Sequence, residues 1–88
     1  MTIPIGSLII TKQNPSLIEF DAGFVHLFNE EKTGKCYGIP VGACGLVVGV
    51  RNIISPRNYI IDVLFGERIL SIADYNDQHG NPVWCDIL

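Results

Sequence analysis

The chain has 88 residues, 48% of them hydrophobic, and a formal charge of −3 from six Lys+Arg against nine Asp+Glu. That describes one domain with a thin core. Its basic residues, Lys12, Lys32, Lys35, Arg51, Arg57 and Arg68, are scattered. Gripping a polyphosphate requires positive charge gathered on one face, so the balance speaks against sequence-independent nucleic-acid binding.

Strands dominate the expectation. Ile and Val together number twenty against three Ala, and fourteen Gly and Pro residues punctuate the chain at short intervals. β-branched residues favour a pleated, half-buried surface, and Gly and Pro favour turns. The first strand is read at Ser7–Thr11, stopped by Pro15, which has no N–H for a ladder.

Residues Leu17 to Phe28 admit two readings. Phe20, Phe24, Leu27 and Phe28 fall at helical spacing behind Asn14-Pro15. The alternative is a hairpin bending at Asp21-Ala22-Gly23, and the cost of Gly23 inside a helix favours it.

Glu30 to Lys35 reads as a solvated turn in which Gly34 supplies a positive φ. Lys35–Ile39 returns as a strand, and Pro40 to Gly45 bends the chain. Gly45–Asn52 follows, with Leu46, Val48 and Val50 expected on one face. After a turn at Ser55-Pro56-Arg57-Asn58, Tyr59–Phe65 places Tyr59, Ile61, Val63 and Phe65 on one face. Gly66-Glu67 links it to Arg68–Ala73. Asp74–Pro82 is a long polar loop, and Val83–Leu88 closes the chain, with Val83, Cys85 and Ile87 opposite Trp84, Asp86 and Leu88. Short strands at this spacing suggest an all-β barrel or sandwich, and closing a barrel removes sheet edges.

Four pieces carry a resemblance. They are Gly6-Ser7-Leu8-Ile9, Pro40-x-Gly42-x-x-Gly45-Leu46-Val47, Tyr59-x-Ile61-Asp62-Val63-Leu64-Phe65-Gly66 and Val83-Trp84-x-Asp86-x-Leu88. In order and spacing they resemble the small SH3-like, KOW-like barrel proteins that tailed phages encode. The match covers residues 6–11 and 40–88. It implies a single domain over residues 1–88, an SH3-like five-stranded barrel, with residues 12–39 as a hairpin-like insertion between the first two barrel strands. It implies no catalytic residue and no single function, because one fold serves many.

The chemistry-bearing residues point away from an enzyme. Gly38 to Gly45 is glycine-rich, but Pro40 removes a donor and no Lys or helix follows, so it is no phosphate loop. Cys36, Cys44, Cys85, His26 and His79 lack the close pairing of a structural zinc site. An odd cysteine count without close spacing also argues against a disulfide framework. His79 near Cys85 is the one arrangement that could make a nucleophile and base, and a small barrel gives it little concavity. No catalytic group, metal or cofactor is expected.

The expected function is a non-enzymatic structural or assembly module. It would act through protein contacts, with itself or with a neighbour in a virion, and could form a homo-oligomer. The expected contact residues are Leu17, Phe20, Phe24 and Phe28 of the insertion, Asp62 within an apolar strand, and the aromatics Tyr75 and Trp84. A KOW-type nucleic-acid or ribosome-associated module, or a small regulator binding a host protein, are the alternatives. No run approaches the ~20 apolar residues of a membrane span. The start Met1-Thr2-Ile3-Pro4 lacks a leader pattern, so a reducing cytoplasm, or a particle assembled there, is the expected location.

Overall fold

The computed structural model describes residues 3–12, 19–20, 23–52, 59–74 and 82–88. These form eight strands: β1 (Leu8–Thr11), β2 (Glu19–Phe20), β3 (Gly23–Asn29), β4 (Cys36–Pro40), β5 (Cys44–Asn52), β6 (Tyr59–Phe65), β7 (Arg68–Asp74) and β8 (Cys85–Ile87). No helix occurs among the described residues. All pairings are antiparallel, in the order β2-β3-β7-β6-β5-β1-β8, with β4 added on β3. The chain is all-β.

The hairpin reading of residues 17–28 agrees with the backbone where the structure describes it, at residues 19–20 and 23–28. Phe20 opposes Gly23 at the β2–β3 connection. The main partner of β3 is nevertheless β4, paired from Val25↔Pro40 to Asn29↔Cys36. Gly34, at φ 72°, lets the chain turn tightly between them. Between β6 and β7 the link is two residues, Gly66-Glu67, closed by Phe65↔Arg68. Gly66 has φ 63° and Glu67 is not left-handed, so the positive φ falls at the first central position, as in a type II′ hairpin.

One strand departs from simple alternation. The β5–β6 register shifts between Val47 and Gly49, so a bulge at Val48 turns the pattern over by one residue. Leu46, Val48 and Val50 therefore do not share a face. Val47, opposite Val63, is fully buried, and Val50, opposite Ile61, packs against the core, while Leu46 stands on the other side. The final strand departs as well. Trp84 and Cys85 are both buried, because regular pairing begins only at Cys85. The core comprises Ile3, Ile9, Phe28, Val47, Ile61, Val63, Leu70, Trp84 and Cys85.

The sheet curls without closing. Among the described residues no ladder joins β8 to β2, β4 or β7, so the hydrogen-bonded path is open and the closed barrel expected from the sequence is not formed by strand pairing. The reason is local: β8 is three residues long and its ladder goes to β1. Side chains bridge the gap instead. Phe28 of β3 meets Trp84 edge-on, with ring centroids 5.8 Å apart. The buried Thr11 hydroxyl donates to the Pro40 carbonyl at 2.7 Å and accepts from the Ala43 N–H at 2.9 Å. His26 Nε2 lies 2.7 Å from the Lys12 carbonyl oxygen. A carbonyl can only accept, so Nε2 carries the proton.

Candidate protein-contact face

Residues directly opposite in an antiparallel pair present their side chains on the same face, about 5 Å apart. Followed across the sheet, the register builds two rows on the face away from the core. The first is apolar. Leu8 opposes Leu46, Leu46 opposes Leu64, and Leu64 opposes Ile69. Leu88 extends the row: its N–H donates to the Leu8 carbonyl at 2.8 Å, continuing the Ile9↔Ile87 register by one step. Leu88 is 71% exposed, Leu8 55% and Ile69 52%, with Leu46 and Leu64 half-buried between them.

The second row is polar and lies two residues along β6 and β7 and, across the bulge, three along β5. Gly49 opposes Asp62, Asp62 opposes Ser71, Ser71 opposes Asn29, and Asn29 opposes Cys36. Arg51 reaches into it from β5. Its Nε donates to Asp62 Oδ2 at 3.2 Å and its Nη2 to Asp62 Oδ1 at 2.9 Å, a two-pronged grip on one carboxylate. Ser71, nearly fully buried, donates to Asp62 Oδ1 at 2.6 Å and accepts from Arg51 Nη2 at 3.3 Å. Arg51 Nη1 also donates to Glu31, in the β3–β4 turn. The hydrogen bonds that Arg51 donates to Asp62 and then to Glu31 raise the guanidinium pKa above its ordinary value. Gly49 makes room for this arrangement, since a Cβ there would come within 2.7 Å of Asp62 Oδ2.

The expected contact residues divide. Phe28 and Trp84 are buried side chains of the core, so they leave the candidate surface. The reason is the Phe28–Phe65 and Phe28–Trp84 edge contacts, which spend the aromatic area of the insertion on holding it to the sheet. Asp62 stands on the outer face, turned inward upon Arg51 and Ser71. Phe20 and Phe24 have their backbones in β2 and β3, and their side chains lie outside the description. Leu17 and Tyr75 lie outside the described residues, as does His79. Among the described side chains of that set, Phe28, Asp62 and Trp84, none shares an exposed surface with another. The structure instead brings together Leu8, Leu46, Leu64, Ile69 and Leu88, which alternation alone places opposite their core neighbours but which only the register aligns.

Among the described residues no three His, Cys, Asp or Glu side chains gather where they could hold a metal ion. Nor is any helix there long and apolar enough to cross a membrane. Cys36 and Cys44 are exposed and Cys85 is buried, with no disulfide among them. Comparison with protein-family models, with curated proteins and with solved structures finds no match for this chain.

Proposed function

We propose that this chain is a non-enzymatic structural or assembly module that acts through protein contacts. The observation that carries the reading is the outer apolar row, a strip of aliphatic side chains that the fold holds on a rigid sheet and leaves in water. A module that docks on a neighbour needs such a strip. A protein partner also suits the cations better than a polyphosphate does. Lys12, Arg51 and Arg68 each face a carboxylate of their own chain.

We also read the architecture as an SH3-like plan. The order β8-β1-β5-β6-β7 is a run of five antiparallel neighbours, and β2 to β4 are inserted between its first two strands in the chain. That order and the residues of the resemblance support the reading. By the same resemblance the chain is a phage-type small protein, acting in the host cytoplasm or as a minor virion component.

Gradient sedimentation of the tagged chain, expressed in the cells that carry its gene, tests the reading. It predicts that the chain travels in a complex heavier than itself, with capsid or tail proteins if the virion assignment holds. A chain that stays monomeric both in those cells and after purification contradicts the assembly function.

A further inference from the structure

We infer that the free edge of β4 is a self-association site, where a second copy of this chain adds its own β4 antiparallel about a two-fold axis. The inference rests on the assembly reading above and names one partner and its place. Hydrogen-bond phase is what opens the edge. In an antiparallel ladder alternate residues turn both backbone groups to one neighbour, and the residues between turn theirs the other way. The Glu30 N–H donates to the Lys35 carbonyl at 2.8 Å, which makes Phe28↔Tyr37 and His26↔Ile39 the hydrogen-bonded pairs of β3 and β4. Cys36, Gly38 and Pro40 therefore turn their backbone groups away from β3. Pro40 agrees, since it has no N–H and its carbonyl accepts from the Thr11 hydroxyl instead.

Thr11 closes the edge at Pro40, but Cys36 and Gly38 are exposed, and no strand among the described residues pairs with that side of β4. Exposure of a glycine is exposure of backbone. Each of the two residues thus offers one N–H and one C=O to water.

The length of this window chooses the occupant. Pro40 bars pairing at one end, and at the other the chain turns away at Gly34, with φ 72°. A long strand from another protein finds no further partners beyond Cys36 and Gly38. A second β4 fits the window. Set two-fold about Tyr37, it places Cys36 opposite the partner's Gly38 and Gly38 opposite the partner's Cys36, so every open donor meets an open acceptor. Tyr37 meets its own copy in the non-hydrogen-bonded pair between them, where Cα atoms approach to about 4.5 Å and aromatic pairs are favourable. Lys35 falls opposite the partner's Ile39, so no like charges stand directly opposite across the axis. The pairing is isologous and uses the same edge on both copies, so it stops at two chains. So short a ladder makes a weak, reversible dimer.

Sedimentation equilibrium of the purified chain between about 50 μM and about 1 mM, with amide hydrogen exchange followed by NMR over the same range, tests the inference. The mass should rise from one chain toward two. Exchange of the Cys36 and Gly38 N–H groups should slow about threefold or more as it does. Ile87 is the internal control. The Leu88 N–H bond to the Leu8 carbonyl turns the backbone groups of Ile87 to the open side of β8 in the same way, and its exchange should not change. Gly38→Pro removes an N–H that the β3–β4 ladder does not use. It should keep the circular dichroism spectrum and weaken the dimer about tenfold or more. A wild-type chain of single mass at about 1 mM, a dimer with unchanged exchange at Cys36 and Gly38, slowing at Ile87 instead, or a folded Gly38→Pro variant that dimerises like the wild type overturns the inference. A chain that is monomeric when pure yet sediments in a larger complex in cells overturns the second-copy assignment and leaves the assembly reading standing.

Discussion

Phe28 and Trp84 meet nearly at right angles, at 79°, across the gap that strand pairing leaves open. Phe28 comes from the inserted hairpin and Trp84 from the segment before the last strand, so this contact joins parts of the chain that share no ladder. Truncating either ring should cost about 3–5 kcal/mol, the usual penalty for a large aromatic cavity. Leu27→Ala, one residue from Phe28 but exposed, should change stability by less than about 0.5 kcal/mol. Urea denaturation measures both. Equal effects would mean that the hairpin is not anchored through Phe28.

Gly45 is where strand spacing becomes critical. A Cβ there would stand 2.5 Å from Val63 Cγ1 and 2.9 Å from the Phe65 ring, both on the core side. Its backbone is not left-handed, so the cost of Gly45→Ala is overpacking rather than φ strain. The expected loss is about 1–3 kcal/mol. Gly45→Ala combined with Val63→Ala should be milder than the sum of the two single changes, because the second makes room for the first.

Thr11 serves the corner where β1 passes the β4–β5 bend. Its hydroxyl satisfies the Pro40 carbonyl and the Ala43 N–H at once. Thr11→Val keeps the shape and strands both groups, at a cost of about 1–3 kcal/mol. Thr11→Ser keeps the hydroxyl and should cost less. Thermal melts of the two variants should separate clearly, with Thr11→Val the lower.

The Asp62 cluster is a structural tie across β5, β6 and β7. Ser71→Ala removes a buried donor from the carboxylate and should lower stability by about 1–2 kcal/mol. Glu31→Gln touches only the exposed arm of the cluster and should be silent in the same denaturation assay, because exposed ion pairs contribute little. A large effect of Glu31→Gln with none for Ser71→Ala would reverse the assignment of which contact holds the strands.

Much of the fold is legible in the residues themselves. Gly and Pro spacing marks the turns, and the β-branched runs at Tyr59–Phe65 and Arg68–Ala73 give strands with Ile61, Val63 and Leu70 inward. The bulge at Val48 is not legible, because Leu46 to Val50 reads equally well as unbroken alternation. The burial of Trp84 and Cys85 on successive residues escapes a period-two reading for the same reason. Phe28 looks like an interface aromatic until its tertiary partners Phe65 and Trp84 are known. The outer row is written in the sequence as the polar-side positions of four strands that happen to be Leu8, Leu46, Leu64 and Ile69. What aligns them is register, which depends on how each turn closes. The Arg51–Asp62–Ser71 tie is hidden likewise, since its members are brought together only by pairing.

The most direct measurement is amide NMR of the isotope-labelled chain, taken alone at rising concentration and again with the proteins that cosediment with it. Signals of Leu8, Leu46, Leu64, Ile69 and Leu88 should shift in one of the two series, while those of Phe28, Ile61 and Trp84 stay fixed. Spectra that do not move in either series, or that move at Leu27 and the β3–β4 turn instead, contradict the outer row as the surface through which this protein makes its contacts.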